Sequence, residues 1–302
     1  MEPQLTALIP SWTASDREAL LRRPLIFQHK LLETGAFSED AIARRLETHP
    51  DALTDVNINE IYEDGTFKIR TGIRGTLSGH ELLEQVKAGR LWINLRDVFV
   101  HDGDDVSPAE RFFEELEAHN PSLRVRGMYA NLLISGPQAR VPFHADTPNV
   151  LLLHLVGKKR LWLYPNSGKY LEDQAMERVA MRETTEDLPY NPAWDSEAFV
   201  ADLEPGMALS WPLNAPHRVD NQGTFNVSLS CEYMTWAARL RHGVYYTNGT
   251  LRRRFGMSPP AQKDVNGPGR ALRWAMSIIF KRLKINRTTQ VTFNAEFDVS
   301  KA

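Results

Sequence analysis

The segment Pro142-Phe143-His144-Ala145-Asp146-Thr147-Pro148 closes one apolar run and precedes another, and its His-x-Asp spacing puts His144 and Asp146 on the same side of an extended chain. Both side chains can then reach one ion. A second histidine, His217 in Pro216-His217-Arg218-Val219, follows the turn-and-strand pattern Leu203-Glu204-Pro205-Gly206-Met207-Ala208-Leu209. Two histidines and one carboxylate on one face of an octahedron leave three positions open, the arrangement of non-haem Fe(II) oxygenases, and open positions are what a cosubstrate and dioxygen require. A His-x-Asp triplet alone is a weak signal in a chain with nine histidines, and His144 reads equally well as a satisfied surface histidine. The context strengthens it. Lys159 stands fifteen residues after His144, beyond the apolar run Val150 to Val156 and the Gly157 turn, and in a small barrel that return path brings its ammonium back over the mouth of the site. An inward-facing lysine is costly unless it meets an anion, and a dicarboxylate cosubstrate supplies one.

The elements that must position these groups follow from the punctuation of the chain. From Leu123 onward short apolar runs (Val125 to Ile134, Arg140 to Phe143, Val150 to Val156, Arg160 to Tyr164, Phe199 to Leu203, Met207 to Trp211, Phe225 to Trp236) are separated by turn residues such as Gly136-Pro137, Gly157, Pro165-Asn166 and Asn221-Gln222-Gly223. That is the signature of a sandwich or barrel. Residues 123–236 therefore read as a β core, with 166–198 as a polar insertion serving as lid or substrate-recognition element. Its acids Glu172, Asp173, Glu177, Glu183, Glu186 and Asp187 suit either a basic substrate or plain solvation. Residues 1–122 read as a mixed region supporting the barrel. They contain a short helix capped at Ser15-Asp16, a strand at Pro24 to Phe27, a helix opened by Ser38 and one from Ser78 closed by a left-handed Gly89. A strand at Leu91 to Leu95 and a helix begun by Ser107-Pro108 follow. Residues 237–302 read as basic and largely helical, and the stripe Leu272, Ala275, Met276, Ile279, Leu283 in 270–284 predicts packing on the barrel or a homodimer contact. Gln290 to Phe297 alternates as a strand does.

The stretch from Val125 to Trp236 resembles the jumonji-C and cupin-like branch of the Fe(II)/2-oxoglutarate-dependent oxygenases. The residues that carry the resemblance are His144-Ala145-Asp146, Leu151 through Lys159-Arg160, Glu204-Pro205-Gly206, Pro216-His217 and Asn226 through Tyr233. It is particularly similar to the class of the asparaginyl hydroxylase of hypoxia-inducible factor, where the same fifteen-residue spacing separates the first ligand from a lysine. The resemblance implies a mainly β fold with flanking helices around a double-stranded β-helix, the jelly roll. It implies His144, Asp146 and His217 as iron ligands and Lys159 as the partner of the distal carboxylate of 2-oxoglutarate. With dioxygen the products are succinate and CO2, and an intact Asp146 favours hydroxylation over halogenation. The class often carries Thr three residues before the first ligand; here Val141 stands there, so another residue must help bind the cosubstrate. Tyr129, Asn131, Ser228 and Ser230 are the candidates, and each reads as well as an ordinary strand residue. His154, inside an apolar run, reads as a buried, satisfied histidine, while Lys158 and Arg160 face outward by strand alternation. Trp162 and Trp211 read as core, and Arg218 as a salt-bridge partner or a substrate contact.

Composition bounds the alternatives. The chain has 302 residues, 42% hydrophobic and 25% charged, with a mean hydropathy of −0.39, which fits neither a disordered nor a membrane-resident chain. Cys231 is the one cysteine, excluding an internal disulfide and a cysteine zinc site. The start Met1-Glu2-Pro3-Gln4 has no signal-peptide character and no apolar run approaches a membrane span, so a cytoplasmic location is expected. The net charge of −2 hides an asymmetry: from Arg239 to Arg287 twelve basic residues stand against one acid, Asp264. That segment suits nucleic acid or another anionic partner, although a solvated face is the favoured reading. The expected function is a hydroxylase acting on a protein or peptide side chain or a small molecule. The alternatives are a metal-dependent cupin enzyme that ignores 2-oxoglutarate and a non-catalytic barrel binding nucleic acid or protein.

Overall fold

Asn149–Val156 is apolar at almost every position because it crosses the middle of the molecule with both faces covered. Leu151, Leu153 and Leu155 enter one core, shared with helices of the N-terminal region, while Val150 and Leu152 enter a second core between two sheets. The structure is a computed structural model and describes residues 7–61, 67–89, 91–100, 106–184, 188–286 and 295–301. Its strands before the barrel are β1 (Leu25–Gln28), β2 (Thr54–Ile61), β3 (Phe67–Ile73) and β4 (Leu91–Leu95). The barrel strands are β5 (Met128–Ser135), β6 (Arg140–His144), β7 (Asn149–Val156), β8 (Lys159–Leu163), β9 (Phe199–Leu203), β10 (Met207–Ser210), β11 (His217–Asn221) and β12 (Asn226–Tyr233), and β13 (Phe297–Asp298) comes last. The helices are α1 (Ala14–Ala19), α2 (Glu39–Thr48), α3 (Gly79–Ala88), α4 (Pro108–His119), α5 (Asp173–Ala180), α6 (Trp236–Phe255) and α7 (Gly267–Arg282).

One sheet runs β1-β10-β7-β12-β5-β4-β2-β3-β13 and the other β6-β11-β8-β9. Strands β5 to β12 divide between the two sheets and enclose Val150, Leu152, Leu161, Leu163, Ala201, Leu203, Leu209 and Trp211, which makes the double-stranded β-helix expected from the sequence. The N-terminal region continues the larger sheet, pairing β4 with β5 and β1 with β10, and α2, α3 and α4 cover its outer face through Leu46, Leu82, Leu83, Phe112 and Leu116. The β2–β3 hairpin is not foreshadowed in the sequence, because asparagines occupy positions where apolar alternation would betray a strand. Asn59 shows why: fully buried, it accepts from the Arg140 N–H at 2.9 Å and donates to the Arg140 carbonyl at 3.0 Å, completing the edge of β6.

Several local expectations shift. Helix α1 is capped by Thr13, whose side chain and that of Asp16 bond reciprocally, and it ends at Ala19. Gly89 closes α3 with φ of −142°, not in the left-handed region. Within 290–297, residues 290–294 lie outside the described residues, and Phe297–Asp298 pairs parallel with β3. The insertion 166–198 forms α5 and a short 3-10 turn and backs the smaller sheet, packing Tyr170 and Trp194 against Phe143 and Tyr164. Its acids are partly accounted for in the same stroke: Glu177 pairs with Arg252 at 3.1 Å and Glu183 with Arg253 at 2.7 Å, so the insertion pairs with two of the three arginines in the last turn of α6. Glu186 and Asp187 lie outside the described residues. Helix α7 does not bury the expected stripe on the barrel. It presses Trp274 onto Gly243 of α6, where a Cβ would come within 2.6 Å of the Trp274 Cα, and leaves Leu272 and Ile279, with Leu283 just beyond its end, exposed. The small residues of α6 decide which side of α7 is inward. Among the described residues no helix is long and apolar enough to cross a membrane.

Candidate metal centre and anion pocket

His144 ends β6 and His217 begins β11; the two pair in register across the smaller sheet, and their rings lie 4.1 Å apart. A register shift between His217 and Val219 marks a bulge, a device that re-aims a side chain at a strand end. Asp146, two residues beyond the strand, returns its carboxylate to both rings: Oδ1 is 3.8 Å from His144 Nε2 and Oδ2 is 3.5 Å from His217 Nε2. Each histidine donates its Nδ1–H to a carbonyl, His144 to Pro142 at 2.8 Å and His217 to Ala215 at 3.1 Å, which fixes the tautomer and turns the Nε2 lone pair inward. Burial, with His144 beside it, holds His217 down at about 4, so its ring is neutral. Asn214 secures the loop by donating to the Asp146 carbonyl at 2.6 Å.

Ligand atoms of His144, Asp146 and His217 all lie within 4.8 Å of one another. Asp146 Oδ2 is buried and has no hydrogen-bond partner among the described residues. Two imidazole lone pairs and a carboxylate facing one another are three acceptors with no donor, and a divalent cation satisfies all of them at once. The residues present therefore fit an iron-type site with one open face.

Farther along the same interior lies Lys159, paired in register with Asn221, four residues from His217 on β11. It is 5% exposed, and burial brings its ammonium down to about 8. Among the described residues no carboxylate pairs with it. Its ammonium donates to Ser228 Oγ at 3.0 Å, and that hydroxyl lies 2.9 Å from His154 Nδ1. His154 Nε2–H donates to the Gly157 carbonyl at 3.0 Å, leaving Nδ1 to accept from Ser228. Burial first and the Lys159 charge second push His154 down to about 3, so the imidazole is neutral and leaves the cation uncompensated. The turn before Lys159 demands glycine: Gly157 has φ +85°, and a Cβ would meet the Phe225 carbonyl at 2.1 Å.

No family model matches the chain, and no curated protein matches it in sequence. Among solved structures it is similar to the X-ray structure of Escherichia coli YcfD at 16% identity, over 92% of this chain and 68% of that one, with a TM-score of 0.48. A crystal structure of the Escherichia coli ribosomal oxygenase YcfD is similar at 15% identity, 92% and 68% coverage and a TM-score of 0.46. The same oxygenase in complex with cobalt and 2-oxoglutarate gives 16% identity, 89% and 64% coverage and a TM-score of 0.44.

The remaining singled-out residues divide between the two ends of the interior. Ser228 meets Lys159, and Ser230 and Asn131, opposite one another across β12 and β5, lie between that lysine and the metal ligands. Tyr129 does not join the Lys159 end. It is four residues away in the β5–β12 register and 60% exposed. Asn131 is also engaged: it accepts from the Asp97 N–H at 3.0 Å and donates to Glu232 at 2.8 Å. Glu232 itself escaped the sequence reading, since Cys-Glu-Tyr at a strand end carries no motif; only the alternation from Ser228 and Ser230 marks it as inward. Burial, with the Asp146 charge nearby, pushes its carboxyl up to about 7. Trp211 packs on His217 with ring centroids 4.8 Å apart, while Trp162 lies on the outer face under Arg218. Lys158 and Arg160 face outward to Glu204 and Asp202.

Proposed function

We propose that the protein is an Fe(II)- and 2-oxoglutarate-dependent oxygenase that hydroxylates a protein side chain or a small molecule. The observation that carries this reading is the pairing, inside one barrel, of a candidate three-ligand metal site open on one face with a buried lysine that has no anionic partner among the described residues. When bound, Fe(II), 2-oxoglutarate and dioxygen supply the oxidising chemistry: one oxygen atom goes to succinate with loss of CO2 and the other to a substrate C–H bond. His144, Asp146 and His217 hold the metal. Lys159 and Ser228 take the distal carboxylate, about 13 Å of strand from His217 at ~3.3 Å per residue, a gap bridged by the lysine side chain from one end and the five-carbon diacid from the other. His154 orients the serine hydroxyl, and the Val150, Leu152, Leu161 and Leu209 walls exclude water from the interior. A cytoplasmic setting, where both Fe(II) and 2-oxoglutarate are available, belongs to the same reading. The exposed Leu272, Ile279 and Leu283 favour a homodimer through this helical face, and light scattering showing a monomer at micromolar concentration would remove that part.

The test is an anaerobic titration of the apoprotein with Fe(II) and 2-oxoglutarate, followed by succinate release on admitting air. A visible charge-transfer band is expected in the wild type and is lost in His217→Ala and in Lys159→Ala. Iron binding without a band would instead favour a metal enzyme that does not use 2-oxoglutarate.

A further inference from the structure

Glu232 faces the barrel interior at the metal end, in the same alternation as Ser228 and Ser230, and is near enough to Asp146 for that carboxylate to act on it. It is mostly buried. Among the described residues no lysine, arginine or histidine pairs with it, and its one hydrogen bond is from Asn131. Asn131 is in turn locked by the Asp97 backbone, so Glu232 is held in place by a neutral donor and not by charge. Directly across the strand pair, on the same face, stands Tyr129, whose ring is left 60% exposed. A carboxylate and an aromatic side chain side by side, next to the candidate metal site and with the tyrosine open to solvent, form a receptor for a cation that donates hydrogen bonds to the first and stacks on the second.

We propose that Glu232, oriented by Asn131 and flanked by Tyr129, recognises a guanidinium or ammonium group on the substrate and so sets which C–H bond is presented to the metal. This rests on the oxygenase reading above and deepens it: Lys159 selects the anionic cosubstrate at one end of the interior, and Glu232 selects a cationic substrate at the other. Tyr129, considered from the sequence as a cosubstrate contact, belongs by its placement to the substrate end.

The experiment measures binding in place of turnover. The protein loaded with Mn(II) and the inert analogue N-oxalylglycine is titrated calorimetrically with L-arginine and L-lysine, with tripeptides carrying either residue at the centre, and with the neutral counterparts citrulline and norleucine in both formats. Wild type is expected to prefer a cationic probe over its neutral counterpart at least tenfold, and Glu232→Gln, which keeps an acceptor for Asn131, is expected to lose that preference while binding N-oxalylglycine normally. Tyr129→Ala is expected to weaken the cationic probes severalfold. Binding of the free amino acids identifies the source of the cation as a small molecule, and binding of the peptides alone identifies it as a polypeptide. Equal binding of cationic and neutral probes, no binding of any cationic probe, or a preference that survives in Glu232→Gln overturns the proposal. Failure of N-oxalylglycine to bind the Mn(II)-loaded protein counts against the oxygenase reading, while the cation preference, measured also on the metal-free protein, still answers for Glu232.

Discussion

Two cations on the smaller sheet, Lys159 inside the barrel and Arg218 on its outer face, are opposites in how they are compensated. Arg218 lies over the Trp162 ring at 3.3 Å from its centroid, pairs with Asp195 and with Asp220 at 3.3 Å, and reaches the Tyr164 hydroxyl at 3.3 Å. Those contacts fasten the insertion to the back of β8 and β11. Lys159 is more deeply buried and, among the described residues, has only Ser228 as a side-chain partner. A fully partnered buried charge is a structural fastening; a buried charge left unpartnered beside a metal site is waiting for a ligand. The distinction separates residues that look alike in sequence, since both are basic residues next to strand ends.

Exchanging each cation for methionine gives the largest contrast. Lys159→Met is expected to weaken 2-oxoglutarate binding by at least ~30-fold, the lower end of the cost of removing one member of a buried charge pair. It should also raise the melting temperature of the ligand-free protein by about 2–4 °C, because an uncompensated ammonium no longer has to be buried. Arg218→Met is expected to do the reverse: a loss of about 2 kcal/mol in denaturant unfolding, as Asp195 and Asp220 lose their partner, with the 2-oxoglutarate affinity within about twofold of wild type. A variant pair in which both substitutions destabilise equally would erase the comparison.

Proton linkage sharpens it. Lys159 has a folded value near 8, below that of an ordinary lysine, so below pH 8 it is charged in both folded and unfolded chains and the burial cost is present in full. Between pH 8 and the unfolded value the unfolded chain holds more protons, and stability from this group rises with pH. Ligand binding moves the opposite way. Above pH 8 binding of the dianion must be accompanied by uptake of a proton from the buffer onto the amine, so the dissociation constant measured by calorimetry should climb by up to about tenfold per pH unit, with that uptake visible as a buffer-dependent enthalpy. Lys159→Met should flatten both trends. The smallest effect expected is that of Ser228→Ala, about fivefold in 2-oxoglutarate affinity, the worth of one ordinary hydrogen bond.

That His144, Asp146 and His217 converge and that Lys159 turns inward was legible in the sequence because each depends on short-range order: a two-residue alternation, a Gly-centred turn, and one strand of known length between His144 and the lysine. The outward placement of Lys158 and Arg160 followed from the same alternation. What stayed hidden depends on partners distant in the chain. Asn59 makes sense only against the edge of β6, eighty-one residues on. Glu232 becomes conspicuous only when Asp146 and Tyr129 are brought beside it. The buried side of α7 is chosen by Gly243 and Thr247 of α6, the latter donating to the Arg273 carbonyl, and no periodicity within α7 could reveal that. Two members of the basic run after Arg239, Arg252 and Arg253, find their carboxylates in the insertion, at Glu177 and Glu183, about seventy residues back in the chain.

His217 and Arg218 are consecutive on β11 and point to opposite sides of the sheet. A slip of one residue during strand pairing would send the guanidinium inward against His144 and the imidazole outward onto Trp162, discarding the stacked ring, both aspartate pairs and the metal cluster together. The strand thus proofreads its own alignment: correct assembly of the outer fastening turns His217 inward toward His144 and Asp146, and a misaligned intermediate is penalised on both surfaces at once.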